Sequence, residues 1–253
     1  MNSLFQDVLQ YGLYQLHNFW LPMAIIAALA LITIPSVTGY SVSRLRRPEE
    51  LIVKADLNQG HAALLAHDVG CREWLKFRSF EFLTSFQFGE ALTVVWEKKE
   101  LPCRFFLIQR LDGAYVFEFW TVFNDARATS LFTCSRIAGF LPNPPGRFVQ
   151  SITHCSVEDT WVIHLRSELF LINELTISPK PMNVEFLEEF ANAARATAAY
   201  TTSLPFWRYR AVYWFLVKRF LTANKTIEQQ GALWGGPGQA QDATEGLQVP
   251  RNE

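Results

Sequence analysis

The chain has 253 residues, 49% of them hydrophobic and 19% charged, with 23 Lys and Arg against 24 Asp and Glu. This composition excludes disordered, collagen-like and coiled-coil chains and is enough for a sizeable core. A net charge of −1 excludes a globally basic nucleic-acid binder, and four cysteines do not make a disulfide scaffold.

In chain order, the first signal is hydrophobic. From Val8 to Ser43 there is no Asp, Glu, Lys or Arg, and Phe19 to Val37 reads FWLPMAIIAALALITIPSV. As a helix this run would span about 28 Å, close to a bilayer's hydrocarbon thickness. Phe19, Trp20 and Tyr40 stand where interfacial aromatics belong, and Pro35 is placed to kink or end the helix. The expectation is a single transmembrane helix over residues 19–40. A cleaved signal peptide fits less well, because Asp7 is the only charged side chain before the run and a basic leader is missing. Arg44, Arg46 and Arg47 follow the run and no Lys or Arg precedes it, so they are the topology-determining residues. They predict a short extracytoplasmic tail (1–18), a basic juxtamembrane linker (41–56) and a cytoplasmic C-terminal domain of a single-pass inner-membrane protein. Cys71, Cys103, Cys134 and Cys155 show no close pairing, as reduced thiols would.

Residues 57–225 read as one α+β domain with a mostly antiparallel sheet followed by C-terminal helices. A helix is expected from Asn58 to Asp68. In Phe80 to Phe88 (FEFLTSFQF), Phe80, Phe82, Thr84, Phe86 and Phe88 alternate with wetter positions and predict a strand with one phenylalanine face. Leu92–Glu97, Cys103–Arg110 and Ala114–Phe123 are further strands, the last two joined at Asp112-Gly113, a strong hairpin signal. Leu131–Cys134 is a short strand and Arg147–Thr153 an edge strand. Ser156 with Asp159 resembles a capping box and opens a helix to about Leu175, with Trp161, Leu165, Leu169 and Ile172 inward. Asn183 is positioned to cap a second helix, Val184 to Tyr200, with Phe186, Leu187, Phe190 and Ala194 inward. A third runs from about Pro205 to Ala223. The Gly/Gln-rich tail, 226–253, reads as disordered.

No nucleotide-binding, zinc-protease, C-x-x-C redox or G-x-S-x-G hydrolase motif is present. His67 and Cys71 are separated by Gly70, and His154-Cys155 would point to opposite faces of a strand, so neither reads as a catalytic or metal pair. His164 reads as a core histidine. The phenylalanine face reads as core first, and as the lining of a pocket for an apolar ligand second. These residues imply no catalytic site, no metal and no cofactor.

One feature stands apart. Between Phe190 and Ile227 no acid occurs, while Arg195, Arg208, Arg210, Lys218, Arg219 and Lys225 are all basic. At 100° per residue, Phe206, Tyr209, Val212, Tyr213, Leu216, Val217 and Phe220 form one apolar arc, expected to pack on the sheet. The remaining circumference offers Trp207, Arg208, Arg210, Trp214, Lys218 and Arg219 as a candidate membrane interface, where rings enter the headgroup zone and cations meet anionic lipid. The implied partners are the bilayer, anionic lipid or another membrane protein, with no nucleic acid, and the residues leave the oligomeric state open. The functional expectation is a membrane-anchored interaction or ligand-binding domain; the alternative is a membrane-anchored enzyme with a Cys/His-containing, Phe-lined pocket.

Overall fold

The computed structural model describes residues 14, 19–54, 71–110, 112–137, 141–181 and 185–231. The expected helix at 58–68, His67, the Asn183 cap and the tail beyond 231 lie outside the described residues.

Helix α1 (Leu21–Leu45) leads into β1 (Ile52–Lys54), and helical residues 71–77 (α2) precede the sheet proper. Strands β2 (Glu81–Phe88), β3 (Ala91–Lys98), β4 (Cys103–Gln109), β5 (Tyr115–Asp125), β6 (Ala128–Cys134) and β7 (Arg147–Ser151) follow. They form a seven-stranded sheet in sequence order. All neighbours pair antiparallel except β6 and β7, which are parallel, so the sheet is mixed and the fold is α+β. Helices α3 (Val157–Leu175), α4 (Phe186–Ser203) and α5 (Trp207–Tyr213) follow, and a π-helical turn (Trp214–Lys218) and a last helical turn (Arg219–Leu221) extend α5. Ser156 caps α3, its Oγ accepting from the Asp159 N–H at 3.1 Å.

The two faces of the sheet carry separate cores. On one, Phe80, Val94, Trp96, Phe105, Leu107 and Phe119 pack with Leu75 of α2 and Trp161 of α3. On the other, Phe86, Val95, Phe106, Trp120 and Phe132 pack with Phe186 of α4. The single phenylalanine face expected for β2 does not exist. Phe82 pairs with Trp96 but Thr84 pairs with Val95, so Leu83 is an extra residue, a β-bulge. Because side chains alternate with period two, one inserted residue moves the rest of the strand to the opposite face. Phe80 therefore belongs to one core and Phe86 to the other.

The transmembrane expectation is overturned: among the described residues no helix is long and apolar enough to cross a membrane. The apolar run lies in α1, which continues unbroken past Pro35 to Leu45 and includes Thr33, Ser36, Thr38, Ser41 and Ser43. Its C-terminal end is spent on the domain. Val42 is buried with Leu141, Ala198 of α4 and Ala211 of α5, and Leu45 packs on the same cluster as Trp207. With no such span, the topological role of Arg44, Arg46 and Arg47 loses its premise. Arg44 stacks 5.7 Å over Tyr40, and Arg47 pairs with Glu50 at 3.3 Å.

The inward stripe of α3 also differs from the expected one. Thr160, Trp161, His164, Ser167, Glu168 and Leu171 are buried, whereas Leu169 is exposed. The α3 side of the sheet offers hydroxyls and an amide at matching positions, so the polar stripe is the one that finds partners.

Candidate functional site

Two constellations stand out, one on each face of the sheet. The first is a sealed polar network beneath α3. Gln150 of β7 anchors it: its Oε1 accepts from the Ser167 hydroxyl at 2.9 Å and from the Ile227 N–H at 3.1 Å. Its Nε2 donates to Thr133 Oγ1 at 2.7 Å, which leaves the Thr133 hydroxyl hydrogen for His164 Nδ1, 2.8 Å away. A neutral imidazole that accepts at Nδ1 carries its proton on Nε2 and donates to Thr121 Oγ1 at 3.0 Å. Thr121 in turn donates to Glu168 Oε2 at 3.5 Å. The chain of donors thus runs one way, from the Ile227 amide to the Glu168 carboxyl.

Burial sets the charge states. It lowers the His164 pKa to about 3 and raises that of Glu168 to about 7, against a weaker opposing effect of the Thr121 hydrogen bond. Cys103 Sγ lies 3.4 Å from His164 Nε2, but burial pushes its thiol far up as well. A nucleophilic cysteine needs a thiolate, an imidazolium and access. Here the thiol is protonated, the imidazole neutral and both groups fully buried. This pair was not visible as a pair in the sequence, since 61 residues separate the two side chains; the structure makes it a structural contact. Of the pairs that were considered, Cys71 is half-buried in α2, and His154 sits at φ 65° in the turn before α3 with Cys155 beside it. None of the four cysteines forms a disulfide. Among the described residues no group of three or more His, Cys, Asp or Glu side chains could hold a metal.

The second constellation is a partly open cavity of about 240 Å³ on the opposite face, between the sheet and α4. Phe88, Phe132, Val149, Phe190 and Ala194 give it apolar walls, and Leu45 and Leu141 tie it to the end of α1. Three charged groups enter it: Glu118, Arg136 and Arg147. Arg136 Nε faces Glu118 Oε1 at 3.8 Å. Arg147 opens β7 directly after Gly146, whose φ of +77° and 2.7 Å spacing from a built Cβ to the Ala126 carbonyl admit only glycine without strain. That tight turn aims the Arg147 guanidinium over the Phe132 ring, 4.5 Å from its centroid. Arg147 Nη1 donates to the neutral Thr197 hydroxyl at 2.5 Å, while Nε meets no acceptor among the described residues. Burial lowers its pKa, with Glu118 acting only as a weaker opposing charge.

A fully buried arginine on the same face shows what completion looks like. Arg104 lies between the Trp120 and Phe186 rings and pairs with Glu189 at 2.5 Å, and Lys180 meets the same carboxylate at 3.2 Å. Arg147 has the aromatic support and, among the described residues, no carboxylate in contact. Neither Arg136, Arg147 nor Glu118 was singled out by sequence reasoning. The available signal was the Pro-Pro-Gly turn delivering an arginine into a strand.

The candidate interface helix is turned over relative to expectation. Trp207, Trp214, Lys218 and Arg219 are half-buried, Arg208 and Arg210 are exposed, and the arc from Phe206 to Phe220 expected to pack on the sheet faces outward, with only Val212 among its members half-buried. Arg219 stacks 3.8 Å over Phe215 on the inner side.

The chain matches no family model, and neither a curated protein nor a solved structure matches it. The class of protein is therefore argued from fold and cavity alone: an α+β domain with one apolar, cation-bearing cavity.

Proposed function

We propose that this protein is a binding module for a small amphipathic anion, with an apolar body among Phe88, Phe132, Val149 and Phe190 and an anionic end at Arg147. One observation carries the reading: the half-buried Arg147, supported by an aromatic ring and lining an apolar cavity, has among the described residues a neutral hydroxyl as its hydrogen-bond partner and a buried Nε without one. A partly desolvated cation with no carboxylate in hydrogen-bond contact is costly, and a carboxylate or sulfonate arriving in a bidentate geometry would offset that cost. The cavity falls just under the ~300 Å³ at which ordinary ligand sites begin, so the ligand is small. Arg136 beside Glu118 leaves the cavity with one net positive charge, which favours a monoanion.

The test uses octanoate, octanol and octylamine on the full chain, followed by thermal unfolding and calorimetric titration. Octanoate should raise the melting temperature, since ligand at about 100 times its Kd stabilises by about 2.7 kcal/mol. Octanol should act weakly and octylamine not at all. Arg147→Met and Ala194→Phe, the latter filling the cavity, should each abolish the shift. Equal shifts from all three probes, or an octanoate shift that survives both substitutions, would discard the reading.

A further inference from the structure

The outward arc of α5 and its extension is a second surface, independent of the cavity. Phe206 is 83% exposed, and Tyr209, Tyr213, Leu216, Phe220 and Leu221 are each at least half exposed. Their spacing puts them on one side of the helix, so they form a continuous aromatic and aliphatic strip rather than scattered surface residues. Phe206 also holds a left-handed backbone (φ 52°) at the helix start, an unfavourable conformation for a bulky residue.

The surroundings of the strip say what would cover it. Arg208 and Arg210 are exposed beside it, Lys218 is half-buried, and no acidic residue occurs between Phe190 and Ile227. Arg208 lies against α1, its Nε 3.6 Å from where a Cβ on Gly39 would stand. The same helix α1 exposes Met23 and Ile25 nearer its N-terminal end, and Phe19 and Trp20 just before it are exposed as well. A second copy of this chain, meeting strip to strip about a twofold axis, would bring the exposed Arg208 and Arg210 of one copy towards those of the other. An anionic lipid surface answers both features at once, taking rings at headgroup depth and phosphates at the arginines.

We propose that the outward face of residues 206–221 docks on an anionic lipid surface, as a surface contact that needs no spanning helix. The interacting side chains are Phe206, Tyr209, Tyr213, Leu216 and Phe220, with Arg208 and Arg210 at the rim. Trp207 and Trp214 are the inner side of this helix.

The full chain is mixed with vesicles of pure phosphatidylcholine, or of phosphatidylcholine with phosphatidylglycerol, and sedimented at low and high salt. Binding to the anionic vesicles should exceed that to the neutral ones by on the order of tenfold and should fall as salt rises. Arg208→Gln with Arg210→Gln should remove the preference, and Tyr209→Ser with Leu216→Ser and Phe220→Ser should remove binding. Both variants should keep the wild-type circular dichroism, because the replaced side chains are exposed. A triple-serine variant that still binds anionic vesicles like the wild type would overturn the proposal. So would a wild type that elutes as a dimer, ignores vesicles and becomes monomeric in the triple variant, since the strip would then be a contact between copies. Failure here leaves octanoate binding untouched, and failure there leaves this surface untouched.

Discussion

The two faces of the sheet treat buried polar groups in opposite ways. Under α3, Gln150, Thr133, His164, Thr121, Ser167 and Glu168 hydrogen-bond one another in the interior. Under α4, Arg147 is half-buried beside an apolar cavity with a neutral hydroxyl as its partner. A closed network specifies packing and gains nothing from a ligand, whereas an incomplete one is stabilised by whatever completes it. The comparison separates a structural polar core from a candidate site, even though the first contains the Cys–His contact that looks more like chemistry.

The largest effect should come from opening the closed face. Gln150→Leu strands the Ile227 amide and the Ser167 hydroxyl and leaves Thr133 short of a donor. At about 1–3 kcal/mol per stranded group, denaturant unfolding should show a loss of about 3–5 kcal/mol. A loss below about 1 kcal/mol would mean the network is not closed in solution.

Next in size is the response to pH. The Glu168 carboxyl titrates near 4.5 when unfolded and near 7 when folded. Between those values the unfolded chain has lost a proton that the folded chain retains, so stability falls as pH rises, by about 3 kcal/mol in all. His164 works in the other direction. Its folded pKa of about 3 lies below the ordinary 6.5, so stability also falls as pH drops below 6.5. Glu168→Gln keeps an acceptor for Thr121 and removes the first effect alone. The variant should be more stable than the wild type at pH 8, and the advantage should shrink to nothing by about pH 4.5. An advantage independent of pH would break the assignment.

A smaller effect tests the helix that seals this face. Ser156→Ala removes the hydroxyl that accepts from the Asp159 N–H, and should cost about 1 kcal/mol by thermal unfolding, with the cavity's octanoate response unchanged. The smallest change in stability should come from the incomplete face. Arg147→Met replaces a half-buried cation, which meets no carboxylate among the described residues, with an apolar side chain of similar length. The ligand-free protein should shift by less than about 1 kcal/mol in either direction. A loss comparable to that of Gln150→Leu would show that Arg147 is a structural residue like Arg104.

Much of the architecture was legible. The strand–turn rhythm from Phe80 to Phe123 follows period-two hydrophobicity and the Asp112-Gly113 turn, and Ser156 announces α3 by its own side chain. What misled was periodicity taken without neighbours. The Phe80–Phe88 alternation has the right period, yet the bulge at Leu83 divides it between two cores. The α5 arc has the right spacing, yet it faces outward. The long apolar run makes a helix, and its last turns are claimed by Leu141, Ala198 and Ala211.

By itself the sequence determined where strands and helices form, because turn residues, caps and hydrophobic period act within a few residues of one another. It also determined that the last helices are basic, since charge needs no partner to be counted. Only the tertiary structure decided which side of each element is buried and which polar groups meet. Cys103 and His164 come into contact across 61 residues, and among the described residues Arg147 meets no carboxylate while Arg104 has Glu189. Burial and pairing are properties of the space between elements, and that space is defined only when the sheet, α3 and α4 have closed around it.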